Sequence, residues 1–268
     1  MAVLSGMEIT AGVVTIIPMI IGYSMSIITL IRYFQKKKIL LLLSSIIFFS
    51  LVSIWIGITI VFLAAAFGLL PPSNTTYVFS YSWAPVVLGI TWNYVTASLF
   101  KKRSWLKYVI LGFFVILGAL YLYFIYIAKD FTVTTFPDSI YKDSSMGTAS
   151  SIIIYIFVVS ILLFIAPVYL WVGSKTNKKL IKFKSFIIAA GAFLFGIVII
   201  VDATIPLEQI IIVIIIRLVL LVSLVCLFLG YITPRMIVDK LEAEPKQEGA
   251  LDDEQKETGE PVSGENDY

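Results

Sequence analysis

Long apolar runs, separated by short polar segments, recur along the whole chain. An α-helix needs about 20 apolar residues to cross roughly 30 Å of hydrocarbon, and each run reaches or approaches that length. The pattern therefore predicts an all-α membrane protein with a bundle of seven transmembrane helices. The predicted spans are about 9–31, 41–69, 77–100, 106–128, 150–172, 185–203 and 209–232. The second is long enough to be tilted or to begin with an interfacial turn.

The basic residues lie on one side of this predicted topology. They follow the first, third, fifth and seventh runs, and of the 20 lysines and arginines only Lys129, Lys142 and Arg217 lie elsewhere. Because basic residues are enriched in cytoplasmic segments, we expect the N-terminus outside and the C-terminus in the cytoplasm. The first run lacks basic residues before it and is too long for a cleaved signal peptide, so we expect it to remain as a helix. The expected location is a plasma membrane.

Three segments of different character divide the chain. Residues 1–232 form the predicted transmembrane domain, in which the connection at 129–149 is expected to be an exposed outer loop. Residues 233–244 (TPRMIVDKLEAE) have a small apolar face, which predicts a short amphipathic helix at the membrane interface. Residues 245–268 are polar and acidic, which predicts a disordered cytoplasmic tail.

The composition excludes several classes of function. Of the 268 residues 59% are hydrophobic and 14% are charged, whereas about 25% are charged in an ordinary soluble domain. There is no histidine, which excludes histidine-ligated haem, the usual zinc sites and His-dependent catalytic pairs. The single cysteine, Cys226, lies in the last span and is expected to be a buried apolar side chain. We therefore expect no enzyme, no metal, no cofactor and no nucleic-acid partner.

One charged side chain lies well inside an apolar run. Arg217 is expected roughly 12 Å below the outer end of the seventh span, and ionisable residues at such a depth often mark a functional site. Its predicted partner is Asp202, because a tight turn (DATIPLE) joins the sixth span to the seventh. The pair is interpreted either as an anion-binding group or switchable ion pair in an outer cavity, or as a static lock. An arginine that snorkels to the headgroups is a further interpretation.

The third span is the least apolar of the seven. Small and polar residues recur in it at spacings of three and four, which places them on one helical face. Such a face lines a polar pocket or packs against other helices, because lipid offers these groups no partner. Both interpretations stay open. The candidate pocket residues are Ser82, Pro85, Gly89, Trp92, Asn93 and Thr96, together with Trp55 of the second span.

The seventh span also bears on the class of protein. Retinal proteins need a lysine in this helix, whereas this chain has Arg217, which cannot form the Schiff base, so no retinal is expected. The stretch RLVLLVSLVCLFLGYITPRMI (217–237) resembles the closing helix of prokaryotic seven-helix sensor modules of the histidine-kinase type. The resemblance implies a membrane sensor. Because the chain has no phosphoacceptor histidine and no ATP-binding domain, such a sensor would act through another protein.

The leading hypothesis is thus a sensor or receptor-like membrane protein. Its expected partners are the lipid bilayer, a small or anionic ligand, and a cytoplasmic protein that contacts residues 174–184 and the tail. A uniport-type carrier of small solutes is the alternative, because seven helices can form two three-helix repeats around a linker helix, and the first and fifth spans each carry a proline, Pro18 and Pro167, before a basic loop. A non-catalytic assembly subunit is the third hypothesis.

Overall fold

The computed structural model describes residues 6–100, 104–135, 142–204, 210–233, 237–238 and 241. Almost all regular structure in this part of the chain is helical, as predicted. Two π-helical segments, Tyr123–Ile127 and Ile161–Ile165, prolong α5 and join α6 to α7. The α-helices are α1 (Gly6–Lys36), α2 (Ile39–Ser53), α3 (Ile56–Ala66), α4 (Asn74–Ala97), α5 (Ser104–Leu122), α6 (Thr148–Ser160), α7 (Ala166–Lys175), α8 (Lys179–Thr204) and α9 (Ile210–Tyr231).

Several of these helices are suited to a membrane. Within the described residues, α2 and α3 are apolar enough to cross it only as one span, which is bent by 54°. Counting that pair, up to six spans are found, so the chain has the character of a membrane-embedded protein. α4 occupies the third predicted span but is not among the helices found apolar enough to cross a membrane. The total of seven spans stays a prediction. The five single helical spans are Glu8–Lys36, Trp105–Ile127, Thr148–Lys175, Lys179–Ala203 and Ile211–Tyr231.

The position of α4 explains why it is less apolar than the other helices. It contacts α2, α3, α5 and α6, and its buried side chains extend from Tyr77 to Ala97. A helix that is covered by its neighbours does not have to present an apolar surface to lipid. Its amino terminus is capped by the Ser73 hydroxyl, which accepts a hydrogen bond from the Thr76 amide at 3.1 Å.

The second predicted span is broken in its middle, whereas a tilted helix or an interfacial turn at its start was predicted. Ile54 and Trp55 separate α2 from α3. The amide of Trp55 donates to the Val52 carbonyl at 3.2 Å, three residues back instead of four. Directly before the break, the Ser53 hydroxyl donates to the Phe49 carbonyl at 2.7 Å, and a serine bonded back in this way bends helices.

A β-hairpin occupies part of the connection that was predicted to be an exposed irregular loop. β1 (Phe131–Thr135) pairs antiparallel with β2 (Lys142–Met146), with Phe131 opposite Met146. Phe131, Val133 and Met146 pack against the apolar cluster of α4, α5 and α6. One face of β1 therefore packs against the bundle, whereas a polar surface loop would not pack there.

The two ends of the bundle differ in charge. The basic end carries the α1–α2 and α7–α8 connections, where Lys37, Lys38, Lys175 and Lys178 are exposed. The opposite end carries the β-hairpin and the ends of α3 and α8, and we call it the hairpin end. The basic end and the hairpin end lie on opposite sides of the predicted membrane.

α8 and α9 form a close antiparallel pair. The Ser223 hydroxyl of α9 donates to the Gly191 carbonyl of α8 at 2.8 Å. A Cβ on Gly191 would lie 2.8 Å from Leu227, and one on Gly230 would lie 2.3 Å from Ile188. The missing side chains allow the two helices to approach each other, which small residues commonly do at helix contacts in membranes.

The predicted segments after the last span are described only in part. Of the predicted interfacial helix at 233–244, Ile237, Val238 and Leu241 are helical, and most of the segment lies outside the described residues. The predicted acidic tail at 245–268 lies entirely outside them. Both stay predictions.

Candidate functional site

Arg217 is deeply buried. It lies seven residues, or roughly 10 Å, from the start of α9, and only 1% of its surface is exposed. Its neighbours on the helix, Ile216 and Leu220, belong to the main apolar core. The guanidinium does not reach the protein surface, so the interpretation of Arg217 as a snorkelling residue is wrong.

The predicted ion pair forms, and a tryptophan joins it. Nη2 of Arg217 lies 2.9 Å from Oδ1 of Asp202. The second carboxylate oxygen, Oδ2, accepts a hydrogen bond from the indole Nε1 of Trp55 at 2.7 Å. The guanidinium carbon of Arg217 lies 4.9 Å from the centroid of the same indole, at the distance of a cation–π contact. We call Arg217, Asp202 and Trp55 the arginine cluster.

The break in the second span places Trp55 in this cluster. Trp55 has φ −98° and ψ 7°, outside the regular helix, and its side chain is 2% exposed. Two residues later, a Cβ on Gly57 would lie 2.8 Å from Tyr81 of α4. Glycine there allows α3 to pack closely against α4. The cluster thus connects α8 and α9 with the point at which the second span changes direction.

The guanidinium is only partly satisfied. Among the described residues, no group accepts a hydrogen bond from Nε or Nη1, and Nη2 contacts Asp202 without the alignment of a hydrogen bond. Nε and Nη1 together carry three N–H bonds. A buried donor without an acceptor costs about 1–3 kcal/mol, and more when the group is charged. The cluster therefore pairs the charge of Arg217 but leaves most of its donors free.

The charges around Arg217 are already balanced. Arg217 and Asp202 cancel each other, and the Asp202 side chain, which is 21% exposed, is the part of the pair that reaches the surface. At the same end of the bundle Glu8, in the first turn of α1, is 7% exposed. α1 contacts α9, so Glu8 brings a further acidic group to the hairpin end of this helix pair.

A second group of buried polar side chains lies toward the basic end. The hydroxyls of Tyr169 on α7 and Tyr231 on α9 are 3.3 Å apart. The Thr96 hydroxyl lies near Tyr169 and the Trp92 indole N–H lies near Tyr231, but neither makes a hydrogen bond within the described part of the chain. We call Trp92, Thr96, Tyr169 and Tyr231 the polar cluster, which contains no charged group.

Asn93 connects α4 to α6 beside this cluster. Its Nδ2 donates to the Gly89 carbonyl at 2.8 Å and to the Ser160 hydroxyl at 3.0 Å. Its Oδ1 is buried and accepts no hydrogen bond from the described residues. Ser160 is the last residue before the π-helical segment in the fifth predicted span. The amide therefore holds α4 against the point at which that span departs from α-helical geometry.

One aromatic ring contacts both clusters. Phe195 of α8 is fully buried and meets Trp55 edge to face, with centroids 6.3 Å apart and an interplanar angle of 85°. It also contacts Trp92, at 6.0 Å and 47°. Such pairs are favourable contacts at these separations. Trp55, Phe195 and Trp92 thus form a continuous row of rings between the arginine cluster and the polar cluster.

The remaining predicted pocket residues face other neighbours. The Ser82 hydroxyl donates to Tyr126 of the π-helical extension of α5 at 3.2 Å. Gly89 is covered by Phe157 of α6, to which a Cβ would come within 2.0 Å. Pro85 lies inside α4 between these two positions. The predicted face of α4 is therefore divided among several helices, and of the predicted pocket residues only Trp55, Trp92 and Thr96 belong to the two clusters.

Three residues of these sites were not predicted. Tyr169 and Tyr231 resemble ordinary interfacial aromatics, because each lies near the end of a predicted span. Phe195 is one apolar residue among many in the sixth span. The order Leu-Gly-Tyr at the end of α9 was the sequence signal for this contact, since Gly230 brings the end of α9 close to α8.

The sequence matches no protein-family model, and it shows no significant similarity to a curated protein.

Proposed function

We propose that this chain is a seven-helix membrane sensor in which a stimulus acts on the arginine cluster and the response passes to a separate cytoplasmic protein. The observation that carries the proposal is the state of Arg217, which is 1% exposed and ion-paired but has no acceptor for Nε or Nη1 among the described residues. A static lock would be expected to satisfy the donors of so costly a group. A buried charge with spare donors is instead suited to a change of partner.

The proposed topology has seven spans with the N-terminus outside and the C-terminus in the cytoplasm. α4 supports the seventh span, because its 24 residues reach about 36 Å and it is enclosed by other helices. The lysines at the basic end support the orientation through the enrichment of basic residues in the cytoplasm. In this orientation the arginine cluster lies in the outer half of a plasma membrane.

The structure offers a route from the cluster to the basic end. α8 and α9 carry Asp202 and Arg217 near one end, and Ile188 and Gly230 near the other. Along this pair, the row of rings through Phe195 ends at the polar cluster, which includes Tyr231, the last residue of α9. A change in the ion pair would therefore alter contacts that reach the end of α9.

The proposed cytoplasmic partner would contact residues 174–184 and the tail. In that connection Lys175, Lys178 and Lys182 are exposed, which forms a basic surface suited to an acidic partner. The resemblance of residues 217–237 to the closing helix of prokaryotic sensor modules agrees with this role.

Spin-label distances in nanodiscs test the proposal. Labels on cysteines introduced at Asn177 and Thr233, in a Cys226→Ala background, report the distance between the α7–α8 connection and the end of α9. Asp202→Asn removes the charge of the partner and should shift the distance distribution by several ångströms. Asp130→Asn is the matched control, because it makes the same chemical change at the same end of the bundle.

Two results decide the test. A shift with Asp202→Asn but not with Asp130→Asn supports a coupled switch. An unchanged distribution in a folded Asp202→Asn protein contradicts the proposal and leaves the ion pair as a static lock. If Asp202→Asn does not fold, Trp55→Phe provides a milder change, since it keeps both charges and removes the indole N–H that donates to Asp202.

A carrier of small solutes is the second candidate, and the break at Trp55 favours it. Carriers commonly place their binding sites at helices that are interrupted within the membrane. Proteoliposome swelling with glycerol, erythritol and urea tests this function. Saturable entry of one solute that is lost in Asn93→Leu would favour a carrier, whereas entry no faster than in empty liposomes would exclude it for these solutes.

A further inference from the structure

We infer that Arg217 is the recognition group of a binding site for a neutral molecule that carries a hydrogen-bond acceptor, such as an ester, ketone or amide carbonyl. The inference deepens the proposed function, on which it rests for the role of the site as a sensor. The unpartnered donors define the chemistry. Nε and Nη1 of Arg217 present three N–H bonds, and no described group accepts from them.

Charge determines which acceptor fits. A small or anionic ligand was predicted from the sequence, and an anion is the class that an arginine inside a membrane attracts. However, Asp202 already lies 2.9 Å from Arg217, so the pair has no net charge. An added anion would leave a net negative charge in a site that is shielded from water, which is strongly unfavourable. A neutral carbonyl satisfies the same donors without this cost.

The surroundings also disfavour an anion. Asp202 is held in place by the Trp55 indole, which donates to its Oδ2 at 2.7 Å, so an anion would have to break this bond to displace it. A simple cation carries no hydrogen-bond acceptor for the N–H groups of the guanidinium, so it does not fit the site either. Neutral acceptors are therefore the class that these donors select.

Such a carbonyl has two possible sources, a lipid ester or a free small molecule. Arg217 is 1% exposed and so does not contact the lipid-facing surface in this conformation. We therefore assign the site to a free molecule that enters beside Asp202, the exposed member of the cluster. Nanodiscs of ester-linked and of ether-linked phosphatidylcholine separate the two sources, because only the first offers lipid carbonyls.

The test uses the full chain labelled with ¹⁵N at the arginine Nε atoms. The chain has four arginines, and substitution of each of the other three by lysine assigns the signal of Arg217. Three probes of the same chain length are added in ether-lipid nanodiscs at pH 8. Methyl octanoate is a neutral acceptor, octanoate is its anionic counterpart and octane has no acceptor. The unaltered site is observed directly, so the result does not depend on a variant that folds.

We expect methyl octanoate to move the Arg217 Nε–H signal downfield in a saturable manner, and octanoate to bind at least about tenfold more weakly, a difference of about 1.4 kcal/mol. A stronger response to octanoate than to its ester would overturn the inference in favour of an anion site. No response to any probe would also overturn it. A signal already moved in ester-lipid nanodiscs without a probe would assign the carbonyl to lipid and contradict the free ligand.

The outcome is separable from that of the proposed function. If the ester binds but spin-label distances at Asn177 and Thr233 do not change, the binding site stands and the sensor fails. If Asp202→Asn changes the distances but no probe moves the Arg217 signal, the switch stands and the ligand class fails.

Discussion

Neutralising the two members of the ion pair should have unequal effects on stability. Arg217 is 1% exposed, whereas Asp202 is 21% exposed. In Asp202→Asn the guanidinium stays buried without a counter-charge, and breaking a buried pair in this way costs about 3–5 kcal/mol. In Arg217→Met the carboxylate keeps its bond to the Trp55 indole and hydrates at the surface, so we expect a cost of about 1–3 kcal/mol.

The double variant should recover much of the lost stability. With both charges removed, neither member of the pair leaves an unpaired buried charge, and the replacement of a buried pair by uncharged groups is often close to neutral. The sum of the two single effects should therefore exceed the effect of the double variant by about 2 kcal/mol or more. This pattern follows from desolvation, because the cost lies in the unpaired charge and not in the lost contact.

Thiol reactivity of Cys226 provides the assay. It is the single cysteine, lies on the same helix as Arg217 and is partly buried, so a thiol-reactive dye reports unfolding without an added label. Midpoints are measured in detergent for the two single variants and the double variant. Lys175→Met, at an exposed position of the basic end, is the control for loss of a positive charge. Equal losses in the single variants, or additive losses in the double, would refute the reasoning.

Three further predictions concern other parts of the bundle and use the same thermal assay, with hydrogen exchange where stated. Gly89→Ala should destabilise the protein by about 1–3 kcal/mol because its Cβ would meet Phe157 at 2.0 Å. Gly112→Ala is the control and should be neutral or stabilising, because nothing lies within 4 Å of its Cβ. Similar midpoints for the two variants would contradict this. Asp130→Ala removes the carboxylate that caps α6 and should cost about 1 kcal/mol and speed amide exchange in the first turn of that helix only. Thr96→Val replaces a buried, unbonded hydroxyl by a methyl group and should leave the midpoint unchanged or raised by up to about 1 kcal/mol, so a clear loss would indicate a hidden partner.

The ion pair was predictable from the sequence because it depends on local connectivity. Asp202 and Arg217 lie on two successive helices with a short connection, so the antiparallel arrangement brings their ends together whatever the rest of the fold is. Periodicity likewise placed the polar residues of α4 on one face, for which packing against other helices was one of the two interpretations. Both conclusions need only the helical repeat and the order of the spans.

The third member of the arginine cluster was not predictable as such. Trp55 was selected only as a pocket residue, and it meets Asp202 across 147 positions of the chain. That contact depends on the break after Ser53, which arises from backbone hydrogen bonds that hydropathy does not encode. Similarly, spacing placed the polar residues of α4 on one face but could not show that this face would be divided among several helices.

The π-helical segment Ile161–Ile165 has a consequence for the tolerance of this chain to insertion and deletion. A π turn accommodates one residue more than an α turn, and Pro167, which has no amide hydrogen to donate, follows it. Removing one residue here would restore an ordinary helix and leave the residues after it in nearly the same orientation. The same deletion in a regular α-helical part of the span would rotate everything after it by about 100° and turn Tyr169 away from Tyr231. The π turn is thus the place at which the fifth predicted span can lose a residue without separating α7 from α9.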